Sequence, residues 1–271
     1  MQAQRQDFES YLRLWSLAPD GDVIVTHTSR LLPVRRGGVP LMLKLSHTSE
    51  ERYGGQLMLW WDGEGAVRIL EHDDDALLME RATGPRSVSD MARSGEDDAA
   101  SLIICEVARR LHAPRPGSAP AATSLYLWFR DLFPAADRHG GVLVAAAETA
   151  RALLGEPRDI RVLHGDLHHG NVLDGGARGF LAIDPKRLLG ERSFDFANLF
   201  CNPDAAVATR PGRLTRQAGI VAEAAGLDRE RLMRWILAYA GLSAAWHLDD
   251  GTDPALALAV AGIAKREIGG G

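Results

Sequence analysis

The chain has 271 residues, a formal charge of -5, 46% apolar and 6% aromatic residues, enough apolar material to bury a large core in two lobes. That charge balance gives no support to a nucleic-acid binder, and no apolar run reaches membrane-spanning length. Cys105 and Cys201 are too few for a disulfide scaffold and too far apart for a metal motif. The polar stretch from Met1 to Ser10 lacks the pattern of a signal peptide. The expected setting is therefore cytoplasmic, without nucleic-acid or membrane partners and with no protein partner evident.

In chain order, a helix is expected near Arg5 to Trp15, and the sequence is then strand-rich to about residue 80. Asp22 to Val25 and Ser29 to Val34 read as strands around Thr26-His27-Thr28-Ser29. This loop has no glycine and matches neither G-x-G-x-x-G nor Walker A. Its hydroxyls and backbone N–H groups nevertheless suit phosphate, with Thr28 and Ser29 as candidate contacts. Gly37-Gly38 marks a hairpin turn before Pro40 to Leu45, an apolar strand interrupted by Lys44. A lone cation there sits either at an edge or in a pocket. The acidic start of a Glu50 to Trp60 helix offers Glu51, or its neighbour Glu50, as a partner for Lys44; solvated surface charges are the plainer alternative. Val67 to Leu70 and Ala76 to Met79 form another strand pair, and Glu80-Arg81-Ala82 leaves the sheet as a linker.

Beyond Gly84-Pro85 the texture becomes helical. Asp97 to His112 carries an apolar side of Leu102, Ile103, Val107 and Leu111, and the Pro/Ala/Gly-rich 114–123 segment ends it. Leu125 to Phe133, Gly141 to Leu154 and the spans 211–225, 228–248 and 254–266 are further helices. The alanine-rich runs predict close helix packing rather than linkers.

Between these helices lies His164-Gly165-Asp166-Leu167-His168-His169-Gly170-Asn171, followed by the apolar run Phe180 to Ile183 and then Asp184. H-x-D, an Asn five residues after the Asp and a second Asp closing the next strand is the order used in phosphoryl transfer of the protein-kinase type. Such transfer needs a group that accepts the attacking hydroxyl's proton and hard oxygens that hold Mg²⁺. Asp166 fits the first role, and Asn171 and Asp184 the second. His164 reads as a brace for the loop, Leu167 as its anchor in the core. A polar hairpin turn or a zinc site on the three histidines are the rival readings; the Asp-Asn-Asp order and the absence of a nearby cysteine oppose both. Asp195 is expected either to accept backbone hydrogen bonds from this loop or to cap a helix.

With these residues in place, the chain is similar to the aminoglycoside phosphotransferase superfamily, and within it resembles the streptomycin 6-kinase and hydroxyurea-resistance kinase branch. Gly63-Glu64-Gly65-Ala66-Val67-Arg68, the 164–171 loop, Ala182-Ile183-Asp184-Pro185 and Gly241-Leu242-Ser243-Ala244-Ala245-Trp246 carry the resemblance. It implies an α+β, bilobal protein-kinase-like fold. Residues 1–82 would be a small antiparallel-sheet lobe with its linker at 80–82, and 83–271 a larger, mainly helical lobe. It also implies ATP and Mg²⁺, with Lys44 on the ATP phosphates, Glu51 in the place of its helix partner, and Glu80 to Ala82 along the adenine. The implied reaction is phosphorylation of a hydroxyl on a small cationic or polyol acceptor, for this branch streptomycin at its 6 position. Gly54-Gly55 departs from the pattern, since two glycines weaken a helix by about 1 kcal/mol each relative to alanine.

A polycationic acceptor calls for carboxylates. Asp195, Glu191, Asp204, Asp249, Asp250 and Asp253 are the candidates, with Trp246 and His247 able to line a sugar pocket. The rival functions are a kinase for a cellular alcohol, sugar or amino alcohol, an ATP-binding pseudokinase, and a protein kinase.

Overall fold

The computed structural model describes residues 8–26, 28–46, 49–73 and 75–270, with side-chain surroundings in the 49–61 helix given from Gly54 onward. His27 and the side chains of Glu50 and Glu51 lie outside the described residues.

Helix α1 (Glu9–Leu14) is followed by an antiparallel sheet of six strands, β1 (Ala18–Pro19), β2 (Ile24–Val25), β3 (Ser29–Arg36), β4 (Val39–Ser46), β5 (Ile69–His72) and β6 (Ala76–Glu80). The strand order is β1-β3-β4-β6-β5, with β2 against β3. Gly37 and Gly38, at φ 56° and 83°, form the two-residue turn between Arg36 and Val39, a conformation that side chains resist. The period-2 alternation of β4 divides its side chains. Leu41, Leu43 and Leu45 join Phe8, Leu32 and Leu78 in a small core, whereas Met42 and Lys44 line a cavity on the other side. Helix α2 (Ser49–Trp61) connects β4 to β5.

The larger lobe contains α3 (Val88–Arg93), α4 (Asp97–Leu111), α5 (Leu125–Trp128), α6 (Leu132–His139), α7 (Val142–Gly155), α8 (Ala205–Ala208), α9 (Arg213–Ala225), α10 (Arg229–Asp249) and α11 (Ala255–Gly269). Two small sheets interrupt the helices. One is the hairpin of β9 (Val172–Asp174) and β10 (Phe180–Ala182); the other has the order β7 (Thr123–Ser124), β11 (Leu188–Glu191), β8 (Ile160–Leu163). The expected bilobal α+β architecture is thus present. Val67 N–H donates to the Ala182 carbonyl at 3.0 Å and Ala182 N–H to Gly65 at 2.8 Å, tying the sheet lobe to the β9–β10 hairpin. One apolar core runs from Trp61 and Met79 to Phe194 and Trp235.

Two sequence expectations change. Leu102 is 48% exposed, and the buried stripe of α4 is Ala100, Ile104, Val107, Ala108 and Leu111, a spacing that Leu102 does not share. The single Leu125 to Phe133 helix is instead α5, a 3₁₀ turn over Phe129–Asp131, and α6 running on to His139. Pro134 accounts for the break, because it has no N–H and its ring opposes the carbonyl four residues back. Close packing of the alanine-rich helices is observed: a Cβ on Gly241 of α10 would stand 2.3 Å from the Cβ of Ala146 in α7. Among the described residues no helix is long and apolar enough to cross a membrane.

Candidate active site

The 164–171 loop joins β8 to β9, and buried groups fix its path. Leu167 is fully buried. The Asp195 carboxylate accepts the N–H of His164 at 2.8 Å and of Gly165 at 2.6 Å, and His112 Nε2 lies 2.8 Å from it. Asp195 therefore braces the loop, sitting inside the 192–201 3₁₀ segment rather than capping it. Burial opposes its charge, but the hydrogen bonds from His112 and from the Gly165 N–H hold its carboxyl below the ordinary range. Being fully buried, it has no access to an acceptor. His164 is also buried. Its Nε2 is 2.9 Å from the Ile183 carbonyl and its Nδ1 accepts the Asp166 N–H at 3.2 Å, an arrangement that places the ring proton on Nε2. Burial depresses its pKa, so the ring is neutral and both nitrogens are spent on the loop.

Asp166 faces inward from this frame. Its Oδ1 accepts from Asn198 Nδ2 at 2.7 Å and its Oδ2 from Asn171 Nδ2 at 3.1 Å. Asn171 Nδ2 also donates to the Asp166 carbonyl at 2.9 Å, which commits the amide nitrogen and leaves Oδ1 as the atom suited to a cation. Burial lifts the Asp166 carboxyl to about 7, with the Lys186 charge pulling it down and that of Asp184 pushing it up. Asn198 carried no sequence signal, because its distance from the 164–171 motif is set by the fold alone.

Two cavities meet at the Asp166–Asn171 bond. The first, of about 380 Å³, lies between the lobes. Thr28, Ser29, Lys44, Glu80, Ala82, Asn171 and Asp184 all line it, together with Met42, Met79 and Ile183. The loop from Thr26 to Ser29 is held by Ser29 N–H donating to Thr26 Oγ1 at 3.0 Å and by the two hydroxyls at 2.9 Å. The Glu80 side chain is engaged by Arg178 and by the Arg68 N–H at 3.0 Å, so at the linker it is the backbone that is suited to a ligand. Lys44 Nζ donates to Asp184 Oδ1 at 2.6 Å. Burial works against the Asp184 charge, but Lys44 and Lys186 keep its carboxyl below the ordinary range. The side chain of Glu51, the expected partner of Lys44, lies outside the described residues.

Gly54 and Gly55 acquire a reason here. A Cβ at Gly54 would lie 2.6 Å from the Pro185 carbonyl oxygen, and one at Gly55 3.0 Å from Leu77 Cδ1. The glycines let α2 approach the segment after Asp184 and the sheet at backbone distance, offsetting their weak helix propensity.

The second cavity, of about 640 Å³, is lined by Asp166 together with Trp128, Arg130, Asp131, Lys186, Tyr239, Trp246 and Asp250. Of the expected acceptor residues only Trp246 and Asp250 are on this wall. Glu191 is buried against Arg231 at 2.6 and 2.7 Å. Asp204 caps α8 and pairs with Arg93 at 2.8 Å, Asp249 pairs with Arg138 at 2.5 Å, and Asp253 accepts the Ala255 N–H at 2.9 Å. His247 Nδ1 is 2.7 Å from the Thr252 hydroxyl. Sequence reasoning missed Asp131, whose Oδ2 accepts from Trp246 Nε1 at 3.3 Å, and Trp128, which meets Trp246 edge to face at 5.4 Å. The break in the Leu125 to Phe133 helix, forced by Pro134, was the one signal that could have drawn attention to this corner.

Comparison with known proteins follows the same lines. The sequence model of the aminoglycoside/hydroxyurea antibiotic resistance kinase family matches residues 14–251. A streptomycin 3''-kinase from Klebsiella pneumoniae is 49% identical over 93% of this chain and 98% of its own length. A streptomycin 6-kinase from Streptomyces griseus is 33% identical over 88% of this chain and 80% of its own. The fold is shared with a choline/ethanolamine kinase family protein from Mesorhizobium loti, at a TM-score of 0.72 and 15% identity over 97% of this chain and 93% of that one. The 6-kinase branch expected from sequence is thus matched less strongly than a 3''-kinase. At the level the matches support, the chain is a phosphotransferase and belongs to the aminoglycoside/hydroxyurea antibiotic resistance kinase family.

Proposed function

We propose that this protein transfers the γ-phosphoryl group of ATP to a hydroxyl of streptomycin or a closely similar aminoglycoside, with residues 1–82 and 83–271 as the two lobes. The observation that carries the reading is the meeting of the two cavities. Lys44, Asn171 and Asp184 line the interlobe cavity, and Asp166 lines the other while hydrogen-bonded to Asn171. A phosphoryl donor and a hydroxyl acceptor held in these cavities would face each other across the Asp166–Asn171 bond.

In this mechanism the linker backbone at Glu80 to Ala82 borders the adenine, and Thr28, Ser29 and Lys44 hold the phosphates. Asn171 Oδ1 and the Asp184 carboxylate are hard oxygen donors on one cavity wall, the set that suits Mg²⁺ bound mainly through phosphate and water. When bound, Mg²⁺ would supply charge neutralisation for the phosphate oxygens. Asp166, oriented by Asn171 and Asn198, takes the acceptor hydroxyl's proton. The bond from the γ-phosphorus to the acceptor oxygen forms as the bond to the β,γ-bridging oxygen breaks, and ADP leaves. A carboxyl at about 7 is a better proton acceptor for an alcohol than one in the ordinary range.

The second cavity supports a cationic, sugar-like acceptor over a small neutral alcohol. Asp131 and Asp250 offer carboxylates for amino or guanidinium groups, and the Trp128–Trp246 corner offers apolar faces for rings. Overall similarity favours the 3'' hydroxyl over the 6 hydroxyl. A two-dimensional ³¹P–¹H correlation spectrum of the streptomycin product assigns the position. A cross-peak to the 3'' proton is expected; one to the 6 proton would restore the sequence-based branch. Turnover confined to choline-like alcohols or simple sugars would discard the aminoglycoside reading and leave the phosphotransferase.

A further inference from the structure

The segment after Asp184 holds a second lysine at the junction of the two cavities. Lys186 lines the cavity that contains Asp166, whereas Asp184, two residues earlier, lines the interlobe cavity with Lys44. The two lysines approach different oxygens of one carboxylate. Lys44 Nζ is 2.6 Å from Asp184 Oδ1, and Lys186 Nζ is 3.9 Å from Asp184 Oδ2. Backbone geometry enforces this division. Asp184 and Arg187 have φ of 61° and 52°, the Lys186 N–H donates to the His164 carbonyl at 2.7 Å, and α2 abuts the Pro185 carbonyl at Gly54. At Gly165 a Cβ would stand 3.1 Å from Lys186 Cβ, so the absence of a side chain there lets the loop preceding Asp166 run close beside Lys186.

We propose that Lys186 is a catalytic residue that contacts the phosphoryl group as it moves from the nucleotide to the acceptor. This inference rests on the phosphotransfer reading above. In a loose transition state the charge lies on the three equatorial oxygens of the phosphoryl group while neither reacting bond is strong. Lys44 stands on the donor side of Asp184 and Lys186 on the acceptor side, so a group passing between the cavities moves from one ammonium toward the other. The Lys186 charge also acts on Asp166, where it is the strongest electrostatic influence favouring the anion. One ammonium thus serves both the migrating phosphoryl group and the carboxylate that receives the hydroxyl proton. No bond forms to Lys186, and its proton stays in place: the phosphorus–oxygen bond to ADP breaks and that to the acceptor forms.

The test compares wild-type protein with Lys186→Met and Lys186→Arg in turnover, and in binding of Mg·ADP with and without aluminium fluoride in the presence of streptomycin. Loss of one preorganised donor to a developing charge lowers rate by about 10²–10³-fold. Lys186→Met should therefore lose about that much kcat, with KM for ATP and streptomycin within about threefold. It should bind Mg·ADP as the wild type does but lose the tightening that aluminium fluoride gives, and Lys186→Arg should recover most of both. Equal weakening with and without fluoride, or kcat within about fivefold of wild type, would overturn the role. So would failure of the arginine to rescue. The fluoride comparison needs no turnover, which separates the two claims. A wild-type protein that releases no ADP with any acceptor contradicts the phosphotransfer reading, whereas fluoride tightening that survives Lys186→Met contradicts the role of Lys186.

Discussion

At the scale of single residues, the carboxylates differ by surroundings more than by sequence position. Asp166 is lifted to about 7 by burial, whereas Asp184 is held low by Lys44 and Lys186, and Asp195 by the hydrogen bonds it accepts from His112 and the Gly165 N–H. If Asp166 accepts the proton, Asp166→Ala should lower kcat by about 10²–10⁴-fold with Mg·ATP affinity nearly unchanged, measured by initial rates and calorimetry. The wild-type kcat/KM should fall below pH about 7 with unit slope. The same shift has a stability sign. A carboxyl whose pKa is raised by folding contributes stability at low pH that is lost as pH rises through its folded value. Asp166→Asn should therefore gain melting temperature over wild type, by more at pH 8 than at pH 5. Asp195→Ala should act differently, leaving His112 and two loop N–H groups without their acceptor. A loss of about 3–5 kcal/mol in denaturant unfolding is expected from breaking such a buried arrangement. The positions of Asp166, Asn171 and Asp184 were legible because their spacing is local to one hairpin. Asn198, Asp131 and Trp128 were not, since long-range folding alone brings them to the site.

At the scale of elements, β4 and α2 show what pattern conveys and what it hides. The alternation Leu41, Leu43, Leu45 against Met42, Lys44 was readable, and it puts the lysine on the cavity side. The two glycines of α2 looked like defects by propensity, yet their lack of a Cβ is what admits the Pro185 carbonyl and the Leu77 methyl groups. Gly54→Ala should raise the helix propensity of that position by about 1 kcal/mol and still lower both melting temperature and kcat, because α2 or the 184–187 segment has to move. Unchanged activity in that variant would show that the close approach is not needed. Leu102 was misassigned because any apolar residue in a helical window looks like core until the phase of the buried stripe is known. The Leu125 to Phe133 stretch does not form one helix because Pro134, the third residue of α6, has no N–H to donate to the turn before it.

At the scale of the whole molecule, the sheet lobe, the helical lobe and the α9, α10 and α11 spans were legible from periodicity and composition. What the chain accepts was not, because the 640 Å³ cavity takes its wall from β7, α5, the 3₁₀ turn, the 164–171 loop, the 184–187 segment and α10. Its charged groups are Asp131 and Asp250 on the helical side, where Arg130 lies 3.4 Å from Asp131, and Lys186 and Arg187 on the segment after Asp184; none of these lines the interlobe cavity. A cationic acceptor should therefore feel Asp131 more than ATP does. Asp131→Asn should raise KM for streptomycin by about tenfold while KM for ATP stays within about twofold, the equivalent of about 1.4 kcal/mol on one ligand only. The measurement that tests the central claim most directly is Mg²⁺-dependent release of ADP from ATP with streptomycin, with the product weighed by mass spectrometry. One ADP per streptomycin consumed, and a product heavier by one phosphoryl group, is the expected result. ADP release that is independent of any acceptor, or no release with streptomycin and every other aminoglycoside tried, would contradict it.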